Sequence, residues 1–234
     1  MNHATLAEAF WRDGFLVLPG FFGSALMDEL DGLIRQRFGD DPAFWHNDEF
    51  LTRARTEVIP WFPQAEGATP FDVIDGNEDL QKLTDAILGA HWQRLYCMVM
   101  FSKQGTAGQA WHQDCSPARS ELHNLNRLVY TSDIHAEAGG QTVIVRGSHR
   151  FGLLPVGDPE GHFADEVVVT PSKGTLVLLH GHAWHRVLPV TKGNRVSTNY
   201  RAVPAGTPAD ITDVCVYRNM RYQFSTSKVV EERI

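Results

Sequence analysis

The chain predicts a mainly β protein with flanking helices, built on a cupin-like double-stranded β-helix, or jelly roll. Two observations point there. Helical signals are confined to the first ninety residues, where apolar positions recur at helical spacing. From Arg94 onward the pattern changes to short apolar strands separated by Gly, Pro, Asp or Ser, and helices followed by regularly spaced strands fit two packed antiparallel sheets with helices outside. We read residues 1–234 as one domain, with 1–90 a helical N-terminal part and lid and 91–220 the jelly-roll core.

Each element has a local reason. Leu6 to Arg12 reads as a short helix with Thr5 as N-cap and Glu8 three residues on. Phe15 to Leu18 is an apolar strand closed by Pro19-Gly20. Ser24 is placed to cap a second helix, in which Leu26, Leu30, Leu33, Ile34 and Phe38 repeat at helical spacing. Asp40 to Pro70 reads as irregular, and its aromatics (Phe44, Trp45, Phe50, Trp61, Phe62) and prolines suit a packed cover, so Phe44 to Phe71 is the expected enclosure of a site. Leu80 to Leu88 reads as a further helix. Strands are expected at Leu95 to Lys103, Ala110 to Asp114, Arg127 to Ile134, Thr142 to Arg146, Glu166 to Thr170, Thr175 to His180 and Arg195 to Val203. The last residues, Val229 to Ile234, read as a frayed tail.

Composition narrows the function classes. At 234 residues, 43% hydrophobic and 21% charged, the chain can bury an ordinary core. A net charge of -7 without a basic run argues against a nucleic-acid partner. No apolar stretch approaches a membrane span. The N-terminal MNHATLAEAFWRDG lacks a cationic segment followed by an apolar one, so the expected compartment is cytoplasmic. The cysteines Cys97, Cys115 and Cys215 fit neither a disulfide framework nor a zinc knuckle, and Cys115 reads as a plain buried thiol. A monomer or homodimer is expected.

The chemistry-bearing feature is His112-Gln113-Asp114 with a histidine far downstream. Two imidazoles and a carboxylate on one face of a metal leave open positions opposite, the arrangement that holds non-heme Fe(II) for oxygen chemistry. With 11 histidines in the chain a lone His-x-Asp is close to a chance event, and His46-Asn47-Asp48 is a second copy. Strand setting separates them: alternate strand residues share a face, so His112 and Asp114 can converge, whereas His46 and Asp48 lie in the irregular stretch. His135 and Glu137 sit at a strand end before Gly139-Gly140 and read as a solvated turn. For the distal ligand, His180, His182 and His185 all stand close, and the break that Gly181 permits leaves strand parity unable to choose.

Four segments together resemble the phytanoyl-CoA dioxygenase family of Fe(II)- and 2-oxoglutarate-dependent oxygenases. FWRDGFLVLPGFF (Phe10 to Phe22) is similar to the family's opening helix and strand. FSKQGTAGQAWHQD (Phe101 to Asp114) is similar to its approach strand, loop and metal pair. AGGQTVIVRGSHR (Ala138 to Arg150) resembles its Gly-rich turn and Gly-Ser-His segment, and GTLVLLHGHAWHRVLPV (Gly174 to Val190) the segment carrying the distal ligand. The resemblance implies His185 as that ligand, completing a set of His112, Asp114 and His185. It also implies an arginine about ten residues further on to anchor the far carboxylate of 2-oxoglutarate. Arg195 stands there, and guanidinium suits a carboxylate as a permanently charged two-pronged donor. Arg201, of the same strand parity, is the competitor.

Two positions depart from the family pattern: Val187 replaces a frequent Ser, and Tyr130 stands nearest to a frequent Trp facing the cosubstrate. Lys103 occupies a position where the family often has lysine. Tyr130 and Lys103 are therefore candidate cosubstrate contacts, set against a core aromatic and a snorkelling lysine. The implied reaction uses Fe(II), 2-oxoglutarate and O2, with ascorbate as possible reductant, to hydroxylate an unactivated C–H of a small molecule, with release of succinate and CO2. Retention of Asp114 argues against halogenation; desaturation, cyclisation and epimerisation use the same cofactors. The readings from other classes are a non-catalytic jelly-roll binding protein and a zinc or manganese cupin enzyme.

Overall fold

The computed structural model describes residues 1–43, 54–212, 214–216, 220–223 and 230–233. The helices are α1 (His3–Asp13), α2 (Ser24–Phe38), the single turn α3 (Asp72–Asp75) and α4 (Glu78–Leu88). The strands are β1 (Phe15–Leu18), β2 (Ile59–Trp61), β3 (Gln93–Ser102), β4 (Gln109–Gln113), β5 (Leu125–Val129), β6 (Thr142–Val145), β7 (Glu166–Val169), β8 (Leu176–His180), β9 (His185–Val187), β10 (Arg195–Val203), β11 (Val214–Val216), β12 (Met220–Gln223) and β13 (Val230–Arg233). They form two antiparallel sheets, in the orders β1-β8-β5-β10-β3-β2 and β13-β12-β11-β4-β9-β6-β7. The predicted jelly-roll class is what the chain adopts.

Strand alternation sorts the first sheet's side chains into two cores. Cys97, Val99 and Phe101 of β3, with Leu176 and Leu178 of β8, face the helices and pack with Phe10, Met27, Leu30, Ile34, Leu83 and Ile87. The intervening Met98, Met100, Val177 and Leu179 face the second sheet and join Leu128, Tyr130 and Ile144. Burial on both faces is why these strands read as nearly continuous apolar runs. One charged group pierces this layer: fully buried Arg127 donates from Nη2 to Asp75 at 2.7 Å and from Nε to the Tyr200 carbonyl at 2.7 Å.

Several local expectations need correction. Helix α1 starts earlier than read, because Asn2, not Thr5, is the N-cap and accepts from the Thr5 amide. Gly23 occupies the N-cap of α2, with Ser24 inside the helix. Residues 59–61 form an edge strand on β3, so part of the presumed irregular cover is sheet. Pro60 is tolerated because one side of an edge strand needs no donor. Trp61 and Phe71 lie in the core between helices and sheet, not over a site; Phe44, Trp45 and Phe50 fall outside the described residues. Residues 230–233, read as a frayed tail, pair with β12.

Candidate active site

β4 and β9 are antiparallel neighbours in the second sheet, and their register sets His112 opposite His185. The two rings therefore lie 4.0 Å apart, centroid to centroid. Asp114 follows β4 directly and shares His112's side of the strand. Its Oδ2 lies 3.4 Å from His185 Nε2 and its Oδ1 3.9 Å from His112 Nε2. One ligand atom from each of the three buried residues falls within 4.8 Å of the others. The Nδ1 atoms contact backbone carbonyls, His112 to Ala110 at 2.7 Å and His185 to Ala183 at 3.0 Å. A ring that donates from Nδ1 keeps its Nε2 lone pair free, and here both Nε2 atoms face the carboxylate. This donor set, two imidazoles and one carboxylate, fits a divalent iron.

The break after β8 is what gives His185 its place. His180 ends β8 in the first sheet, and residues 181–184 carry the chain across to β9 in the second, so the continuous strand parity of the sequence does not apply. The Gly181 carbonyl accepts from the amides of Asp114 and Cys115 at 2.8 and 3.2 Å. A Cβ on Gly181 would stand 2.3 Å from Asn124 Oδ1 and 2.6 Å from Cys115 Sγ, so the close approach that fixes Asp114 requires glycine here. His180 and His182 instead stack with His123 and His149 in a separate cluster. His135 and Glu137 are exposed around a short helical turn, and His46 and Asp48 lie outside the described residues. All three cysteines are buried, and among the described residues they form no disulfide.

The first sheet braces the carboxylate. Asn126 of β5 donates to Asp114 Oδ2 at 2.7 Å, and Arg201 of β10 lies 3.1 Å from Oδ1. Asn126 Oδ1 in turn accepts from Asn199 at 2.7 Å and from Arg201 Nε at 2.9 Å. Burial acts to raise the Asp114 carboxyl, but Arg201 and then His185 outweigh it and hold the group well below the usual carboxylate range. Burial, reinforced by His185, lowers His112 to about 3, keeping it neutral and able to ligate.

Arg195 lies six residues before Arg201 on β10 and lines the same cavity, with Tyr96, Met100, Gln109, Thr142 and Asn199. Its Nε donates to the Gly140 carbonyl at 2.7 Å, and its Nη atoms reach Ser197 Oγ at 3.0 Å and Thr142 Oγ1 at 3.3 Å. Gly140 has φ +74°, and a Cβ there would meet Arg195 Cδ at 2.9 Å, so the Gly-rich turn is shaped around this side chain. Arg195 is buried and, among the described residues, has no carboxylate partner. Tyr130 is buried behind it, with its ring centroid 6.0 Å from the guanidinium and its hydroxyl 3.2 Å from Thr142 Oγ1. Lys103 pairs with Asp41 and is not part of this cavity's lining. Arg201, Asn126 and Asn199 escaped the sequence reading as support for Asp114. The available signal was the stripe Arg195, Ser197, Asn199, Arg201, polar at every second position of one strand.

The family model for phytanoyl-CoA dioxygenase (PhyH) matches residues 10–196. No curated protein sequence matches the chain. Among solved structures, the fold is similar to that of the non-heme alpha ketoglutarate dependent epimerase SnoN from nogalamycin biosynthesis, at 19% identity over 89% of this chain and 87% of that one, TM-score 0.67. It is similar to HygX from Streptomyces hygroscopicus with nickel, 2-oxoglutarate and hygromycin B bound, at 20% identity over 86% and 87%, TM-score 0.66. The carbocyclase SnoK from nogalamycin biosynthesis aligns at 14% identity over 91% and 85%, TM-score 0.66. With a family model covering most of its length and the His112, Asp114 and His185 cluster in its barrel, this chain belongs to the phytanoyl-CoA dioxygenase family.

Proposed function

We propose that the protein is an Fe(II)- and 2-oxoglutarate-dependent dioxygenase that hydroxylates an unactivated C–H of a small molecule, a natural-product intermediate or related secondary metabolite, with release of succinate and CO2. The observation that carries this reading is the presence in one cavity of a three-residue His/Asp cluster and a buried arginine that has no carboxylate partner among the described residues. His112, Asp114 and His185 would hold the iron, which supplies the oxygen chemistry when bound. Arg195 would receive the far carboxylate of 2-oxoglutarate, with Tyr130 and Thr142 holding its guanidinium in place. Met98, Met100, Leu128 and Val187 line the same cavity and exclude water from the reacting C–H. The HygX and SnoN structures hold small natural products, hygromycin B and nogalamycin RO, which supports a substrate of that class. Among the described residues no helix is long and apolar enough to cross a membrane.

A second outcome on the same cofactors has a specific basis: two of the similar folds are described as an epimerase and a carbocyclase. The choice between hydroxylation, epimerisation and ring closure rests on how substrate is seated, not on the ligand set. The test is succinate release. Purified protein with Fe(II), ascorbate and 2-oxoglutarate should form succinate without added substrate, and anaerobic mixing should give a visible charge-transfer band. Loss of both in His112→Ala is expected; their absence in the wild-type protein would sink the oxygenase reading in favour of a binding protein or a zinc or manganese enzyme.

A further inference from the structure

β9 presents two faces. His185 pairs with Ile144 of β6 on the side of the metal cavity, while the next residue, Arg186, pairs with Val143 and points to the outer side of the sheet. There Arg186 is 8% exposed, with its guanidinium carbon 5.0 Å from the centre of the Trp111 ring. Its Nε is buried with no hydrogen-bond partner, and among the described residues Arg186 has no carboxylate within ion-pair reach. Burying a permanent charge without an opposite charge is costly, and stacking on an indole offsets only a small part of that cost.

The unpaired guanidinium borders a second, small cavity, walled by Arg55, Pro159, Glu160, Leu188 and Pro189. Arg55 pairs with the exposed Glu160 at 3.0 Å. Among the described residues that line this cavity, two guanidiniums and one carboxylate leave one net positive charge, and that charge belongs to Arg186. A guanidinium held flat on a ring presents its N–H edge in a fixed direction, which suits the paired oxygens of a carboxylate or phosphoryl group.

We propose that Arg186, held against Trp111, is the anchor of a small-oxyanion site on the outer face of β9, next to the metal cavity and divided from it by Gln109 and Val187. Its ligand is a carboxylate or phosphoryl group. The two cavities share Gln109 and Val187 as lining residues, but no charged residue, so the charge that would hold the anion does not depend on the oxygenase reading. An anion seated there would fasten β9 from behind, one residue from His185, and join it to the 159–160 segment.

The test is thermal unfolding of the full chain in chloride, inorganic phosphate or acetate at equal ionic strength, with Arg186→Met and Arg186→Gln alongside. Phosphate, acetate or both should raise the wild-type Tm by about 3–6 °C at a tenfold excess over Kd, and neither variant should show that rise. A rise with phosphate alone assigns a phosphoryl ligand, and one with acetate alone a carboxylate. Line broadening of the phosphate ³¹P signal by wild type but not by Arg186→Gln gives a readout independent of unfolding, and suffices if Arg186→Met does not fold. No rise over chloride in the wild type with either anion, or equal rises in wild type and variants, would overturn the proposal.

Discussion

Arg201 reaches across from the first sheet to within 3.1 Å of Asp114 Oδ1, while Arg195, on the same face of the same strand, has no carboxylate partner among the described residues. The sequence alone offers both as anchors for a cosubstrate. The structure separates them: one charge keeps the Asp114 carboxylate ionised and oriented, and on the proposed function the other would receive an incoming anion.

Arg201→Met should therefore weaken metal binding while sparing the cosubstrate anchor. Groups that orient a ligand typically matter 10- to 100-fold in metal affinity, and a loss of about that size is expected here. Titration with Fe(II) or Ni(II) measures it. Unchanged metal affinity in a folded Arg201→Met protein would show that Asp114 needs no brace.

Arg195→Met should act on 2-oxoglutarate instead. Truncating one partner of a buried charge pair commonly costs 2–5 kcal/mol, so KM for 2-oxoglutarate should rise by at least about thirtyfold. Metal affinity should stay near the wild-type value. Steady-state succinate formation separates the two arginines, and equal effects from both substitutions would contradict their assignment.

The histidine cluster outside the site predicts acid sensitivity. Burial, then neighbouring histidines, lowers His123 to about 4 and pushes His180 well below the usual histidine range; burial first also lowers His149 and His182. These groups take up protons more readily in the unfolded chain, so folding is favoured above the ordinary histidine pKa near 6.5 and loses stability as pH falls from there toward 4. Each suppressed protonation steepens that slope by about 1.4 kcal/mol per pH unit. Urea unfolding from pH 7.5 to 4.5 should show it, and His123→Phe, which keeps the ring stack, should flatten the curve.

Asp75→Asn should destabilise without touching the cavity. It strips the carboxylate from fully buried Arg127, and removing one member of a buried pair typically costs about 3–5 kcal/mol. Chemical denaturation gives the number. A loss under 1 kcal/mol would mean that the Tyr200 carbonyl and Trp92 ring suffice for that guanidinium.

Elements with a strong period were legible, those that depend on a partner were not. Arg195–Val203 was read to the residue, with strongly polar side chains at every second position from Arg195 through Ser197 and Asn199 to Arg201. Ile59–Trp61 was hidden by Pro60, which argues for a loop until the edge position is known. His185–Val187 is three residues long, too short for a pattern, and its pairing with β4 exists only in three dimensions. The ligand cluster was legible because His112 and Asp114 share a strand period and His185 lies in a segment similar to the family's. The Arg201–Asp114 contact was not, because 87 residues separate partners that different sheets bring together.

That division between sheets has a mechanical consequence. The second sheet supplies the proposed ligands, while the first sheet supplies Arg201 and Asn126 that hold Asp114 in place. The coordination geometry is thus coupled to the gap between the sheets, a gap filled by Met98, Leu128, Val177 and Ile144. Metal affinity becomes a gauge of how well that filling fits: a methylene removed there should register at the iron even though no ligand has been altered.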